Sequence, residues 1–123
     1  MILVDTSVWI DHLRSRDEIL STLLEQGNVL GHPFVMGELA LGSLPRRDVV
    51  LNSLRRLPRA NVARDEEVLR FVDREALFGV GIGYVDAHLL TATRLTADAT
   101  FWTRDRRLQA AAEKLSLAAR LFH

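Results

Sequence analysis

Met1-Ile2-Leu3-Val4-Asp5-Thr6-Ser7 is four apolar residues followed at once by three polar ones. A short run that is apolar at every position is the pattern of a strand covered on both faces. Such strands belong to parallel sheets clothed by helices. Asp5-Thr6-Ser7 carries side chains that cap helices, so a helix is expected over Ser7–Leu13. Asp17 caps a second, running to about Gln26, with Gly27 as its stop. Asn28–Gly31 reads as a strand. Pro33 opens a helix to about Gly42, where its missing N–H costs nothing.

The same alternation continues to the end of the sequence. Arg46–Arg56 reads as a helix ended by Pro58, and Ala60–Ala63 as a brief strand. Asp65 caps a helix over Glu66–Phe78, with Val68, Phe71 and Val72 as its apolar stripe. Gly79-Val80-Gly81-Ile82-Gly83 is a loop, followed by a helix over Tyr84–Leu95. Thr100–Thr103 is a strand, Asp105 starts a helix to about Lys114, and Leu117–Phe122 is a last strand. Strands alternating with helices argue for an α/β fold, a Rossmann-like three-layer α/β/α sandwich around a mostly parallel sheet. The 123 residues make one domain, 1–123, with no repeat or linker.

Composition narrows the chemistry. There is no cysteine, which excludes disulfides, thiolate metal sites and a thiol nucleophile. Sixteen basic residues balance sixteen acidic ones, so bulk charge does not drive nucleic-acid binding. Fifteen of the basic residues are Arg, which makes bidentate contacts to phosphates. No apolar run approaches the roughly 20 residues of a membrane span. Met1–Trp9 lacks a basic leader. A cytoplasmic protein without membrane contact is expected.

Four carboxylates fall in telling places. Asp5 and Asp105 each follow a strand, at the carboxyl end where open parallel sheets bind ligands. Glu38 has Phe34, Val35 and Leu41 at helical spacing. Asp86 has Leu89, Leu90 and Thr93. A carboxylate on an apolar stripe is costly unless something neutralises it, and four at one place repel. A hard divalent cation, Mg²⁺ or Mn²⁺, resolves that conflict. The same residues have ordinary uses too. Asp5 and Asp105 suit helix caps, Asp86 suits a first helical turn, and Glu38 can turn to solvent or pair with an Arg. Spacing alone leaves these open.

"MILVDTSVWID", the Glu of "FVMGELALG", "GIGYVDAHLLTAT" and "FWTRDRRL", in that order, resemble the PIN domain, and within it the VapC-type ribonuclease toxins of toxin–antitoxin pairs. The likeness covers essentially the whole chain. It implies a catalytic and metal-binding set of Asp5, Glu38, Asp86 and Asp105, with supporting hydroxyls on Thr6, Ser7 and Thr103. It implies Mg²⁺- or Mn²⁺-dependent cleavage of an RNA substrate, inhibition by a cognate antitoxin protein, and a homodimer. Gly31-His32, where relatives commonly have a small hydroxyl residue, departs from the pattern. So does Arg107, where some carry a further acid.

Arg14, Arg16, Arg46, Arg47, Arg104, Arg106 and Arg107 are candidates for gripping RNA. Arg104 and Arg106 are favoured because they flank Asp105, and the others read as solvated surface or as partners of a nearby acid, a use also open to Arg104 and Arg106. His12, His32, His88 and His123 show no metal-ligand spacing. Trp9, Phe101 and Trp102 read as core. Competing readings are a nucleotide-binding protein, opposed by the spacing of Gly79–Gly83, and a haloacid-dehalogenase-type phosphatase, opposed by Ser7 where a second Asp is needed. A PIN nuclease of RNA maturation and a PIN domain that only binds a partner or RNA are the nearer alternatives.

Overall fold

In the computed structural model, which describes residues 1–121, three strands form one parallel sheet. They are β1 (Ile2–Val4), β2 (Val29–Leu30) and β3 (Thr100–Trp102), in the order β2-β1-β3. Ile2 lies opposite Val29 and Thr100, Leu3 opposite Leu30 and Phe101, and Val4 opposite Trp102. The opening apolar run is therefore the central strand, and Leu3 and Val4 are fully buried.

Parallel neighbours require crossovers, and helices supply them. Between β1 and β2 run α1 (Thr6–Arg14) and α2 (Glu18–Glu25). Between β2 and β3 run α3 (Pro33–Ala40), α4 (Arg47–Arg55), α5 (Asp65–Arg74) and α6 (Tyr84–Leu95), and α7 (Arg106–Lys114) follows β3. The expected α/β sandwich is the architecture found. Its core holds Leu3, Leu20, Phe71, Leu89, Phe101 and Leu108, each shielded from water. Burying one such side chain is worth about 1.5–3 kcal/mol. Trp9 and Trp102 also lie inside. Among the described residues no helix is long and apolar enough to cross a membrane.

Three expected elements come out shorter. Ala60–Ala63 is not a strand, and the pairing reduces to a single bridge between Gly31 and Arg59. Asn61 instead bonds the end of α6, its N–H to Thr96 Oγ1 at 2.9 Å and its Nδ2 to the Leu95 carbonyl at 2.7 Å. The helix expected to reach Phe78 stops at Arg74, because Ala76 takes a left-handed backbone (φ 53°). Asp65 does not cap it. Arg64 holds the cap position, and the Asp65 carboxylate accepts from Tyr84 Oη (2.9 Å) and lies 3.0 Å from His88 Nε2. The last strand reduces to one bridge, Phe101 with Ala118. Its expected end, Phe122, and His123 lie outside the described residues.

Candidate active site

Asp5 leaves the carboxyl end of β1 with its N–H still bonded to the Trp102 carbonyl, at 2.9 Å. It stands at the N-cap of α1, yet its side chain does not cap. Oδ2 instead accepts from Ser7 Oγ at 2.7 Å and from Thr103 Oγ1 at 2.8 Å. Asp5 is only 7% exposed, so these hydroxyls stand in for lost water. Both are themselves fixed from the β3–α7 connection. Ser7 Oγ accepts from the Arg104 amide (3.1 Å), and Thr103 Oγ1 from the Asp105 amide (3.1 Å).

Asp105 does cap its helix, with Oδ1 accepting from the Leu108 amide at 3.0 Å. Asp86 lies in the first turn of α6 and reaches back to the Gly83 amide at 2.9 Å. Glu38 on α3 accepts from Thr6 Oγ1 at 2.7 Å, which ties α3 to α1. The three hydroxyls singled out in the sequence, Thr6, Ser7 and Thr103, each donate to one of the four acids. Burial differs from the stripe reading. Asp5 is buried and Asp86 half-buried, while Glu38 and Asp105 are exposed, and Leu41 is 90% exposed. Glu38 therefore stands beside the buried Val35 and Leu39 rather than on the core face.

The four acids share one electrostatic neighbourhood. Burial pushes the Asp86 carboxyl above its ordinary range. The Gly83 amide opposes that shift, and the charges of Asp5, Asp105 and Glu38 add to it. Among the described residues none of the four makes an ion pair. As the side chains stand, no three Asp, Glu or His among those residues close around one ion position. Four carboxylates without a cationic partner, two of them exposed, are nonetheless a donor set that fits a small hard cation.

Arg104, favoured in the sequence for gripping RNA, is engaged within the fold. Its guanidinium bonds Asp11 and Asp17, both at 2.5 Å, and lies 5.7 Å over the Trp102 ring. Arg106 is exposed and makes no ion pair among the described residues. His32 caps α3, the helix of Glu38, with Nδ1 accepting from the Phe34 amide at 3.0 Å. Sequence spacing gave no sign of which acids Arg104 meets, of the His32 cap or of the Gly83 amide under Asp86. An apolar groove of about 490 Å³, lined in part by Ile10, Leu13, Leu39 and Leu44, adjoins Glu38.

The PIN domain family model matches residues 2–114, a span that holds all four acids. The chain belongs to the PIN family. Two relatives, each named Ribonuclease VapC32, come from Mycobacterium tuberculosis strains CDC 1551 / Oshkosh and ATCC 25618 / H37Rv. Each is 51% identical to this PIN chain over 118 residues, covering 96% of it and 95% of the relative. No solved structure gives a significant match.

Proposed function

We propose that this PIN-domain chain is a Mg²⁺- or Mn²⁺-dependent endoribonuclease and the toxin of a toxin–antitoxin pair. The observation that carries the reading is the set of four carboxylates that share one electrostatic neighbourhood and make no ion pair among the described residues, in a chain half identical to proteins named ribonucleases. Asp5, Asp86 and Asp105, with Glu38, are the residues that would hold the ion. When bound, a divalent ion supplies acidification of a water near neutral pH and charge neutralisation at the phosphate.

The residues of the chain do the rest. Ser7 and Thr103 hold Asp5 in one orientation, so its charge is in place before RNA arrives. Glu38, exposed and tethered by Thr6, orients the attacking water or completes the ligand set. In-line attack on phosphorus breaks the bond to the 3′ oxygen and leaves 5′-phosphate and 3′-hydroxyl ends. Arg106 contributes to holding the RNA backbone. The groove beside Glu38, with Ile10 44% exposed on its lining, supports an antitoxin that covers the site. The chain acts as a homodimer.

The test is cleavage of end-labelled structured RNA with Mg²⁺, with Mn²⁺ and with EDTA, beside Asp5→Asn. Cutting that requires metal and disappears in Asp5→Asn, with unchanged circular dichroism, is expected. Undiminished cutting by the variant would remove Asp5 from the site. Undiminished cutting in EDTA would remove the metal.

A further inference from the structure

We infer that Arg107 is a further substrate-binding residue, which takes an RNA phosphate at the edge of the acid cluster and is seated there by Gly81. The inference rests on the ribonuclease reading above. Arg107 is the second residue of α7, two places after Asp105. Its side chain crosses to the loop before α6 and lies against Gly81. A Cβ at Gly81 would stand 2.5 Å from Nη1, 2.6 Å from Cδ and 3.1 Å from Cζ of Arg107. Two residues further on, the Gly83 amide holds Asp86. The guanidinium thus joins the helix capped by Asp105 to the loop that positions Asp86.

Arg107 is exposed and makes no ion pair among the described residues, whereas Arg104 is held by Asp11 and Asp17. Arg106 and Arg107 occupy the first turn of α7, which carries no acid. That is the end of a helix where the backbone dipole disfavours cations. The neighbouring carboxylates repel a phosphodiester. A cation beside them offsets that repulsion, and a planar guanidinium matches two phosphate oxygens. Because the chain has no net charge, a single such contact is a large share of its grip on RNA.

Gly81 permits a clean test. Gly79 and Gly81 both have left-handed backbones (φ 71° and 83°), but a Cβ at Gly79 meets nothing within 4 Å. Gly79→Ala therefore carries the backbone strain alone, and Gly81→Ala carries the strain and displaces Arg107. The readout is binding of a fluorescent single-stranded oligoribonucleotide to Asp5→Asn protein with Mg²⁺, over a range of salt. Arg107→Ala should weaken binding about tenfold. It should also flatten the plot of log affinity against log salt by about 0.7. Arg107→Lys should fall between.

Gly81→Ala should resemble Arg107→Ala, and Gly79→Ala should resemble the parent. Added to Arg107→Ala, Gly81→Ala should bring no more than Gly79→Ala does. Should Gly81→Ala fail to fold, the two Arg107 variants still decide. If the unmutated protein cuts RNA while Arg107→Ala keeps affinity and salt slope, the contact is wrong and the ribonuclease reading stands. If the protein neither binds nor cuts RNA, both fall.

Discussion

Asp5 stands where a cap would stand and does not cap, because two hydroxyls reach its Oδ2 first. His32 does the reverse. Its ring nitrogen caps α3 although His is not a favoured capping residue. Capping through Nδ1 leaves the proton on Nε2, which is buried without a partner. Burial first, then the charges of His88 and Arg59, push its pKa down from 6.5 to about 4. The unfolded chain therefore binds more protons than the folded one between those values. Stability from this group is full above pH 6.5 and falls as pH drops toward 4, by on the order of 3 kcal/mol in all. His32→Asn keeps a capping oxygen and loses the titration. Its melting temperature should fall less than the parent's between pH 7 and 5, and an equal fall would clear His32 of the acid sensitivity.

At the scale of elements, the β3–α7 connection is the piece that assembles the candidate site. It supplies Thr103 to Asp5, the Arg104 amide to Ser7, and Asp105 itself. Arg104 binds this connection to Asp11 near the end of α1 and Asp17 at the start of α2. The Asp17 carboxyl lies below its ordinary range. Burial opposes that, and the Leu20 amide and Arg104 outweigh it. Arg104 is 37% exposed, so water discounts each pair to about 1 kcal/mol or less. Arg104→Ala should lower the melting temperature by a few degrees. It should also slow RNA cleavage more than it changes RNA affinity, since the strut positions Asp105 rather than gripping substrate. Loss of affinity alone, at full turnover, would return Arg104 to the RNA-binding set.

For the whole molecule, stability and the proposed metal-binding role pull against each other at Asp86. Its carboxyl has a raised pKa through burial and through the three other acids. A raised folded pKa means that this group favours the fold only while protonated, and the benefit is lost as pH rises through it. At neutral pH the ionised Asp86 carboxylate therefore no longer gives that benefit. Asp86→Asn keeps an oxygen for the Gly83 amide and removes the charge. In EDTA it should melt a few degrees above the parent. Added Mn²⁺ should raise the melting temperature of the parent by mass action, and that of Asp86→Asn much less. An equal response in both would place the ion elsewhere.

Sequence alone determined the parallel α/β architecture, because an unbroken apolar run such as Ile2–Val4 is affordable only where both faces of a sheet are covered. It also marked Asp5, Glu38, Asp86 and Asp105 as candidates, since strand ends and helical spacing are local properties. It overread Ala60–Ala63, whose backbone amide was claimed by Thr96, 35 positions away. It read Glu38 as core-facing when the helix turned that side chain outward. Tertiary structure alone decided that Thr103 meets Asp5 across 98 positions, that Arg104 is spent on Asp11 and Asp17, and that Arg107 lies on Gly81. Local pattern records burial and backbone preference within a few residues. The partner of a charge or a hydroxyl is set by how distant elements dock, and that information exists only once the chain has folded.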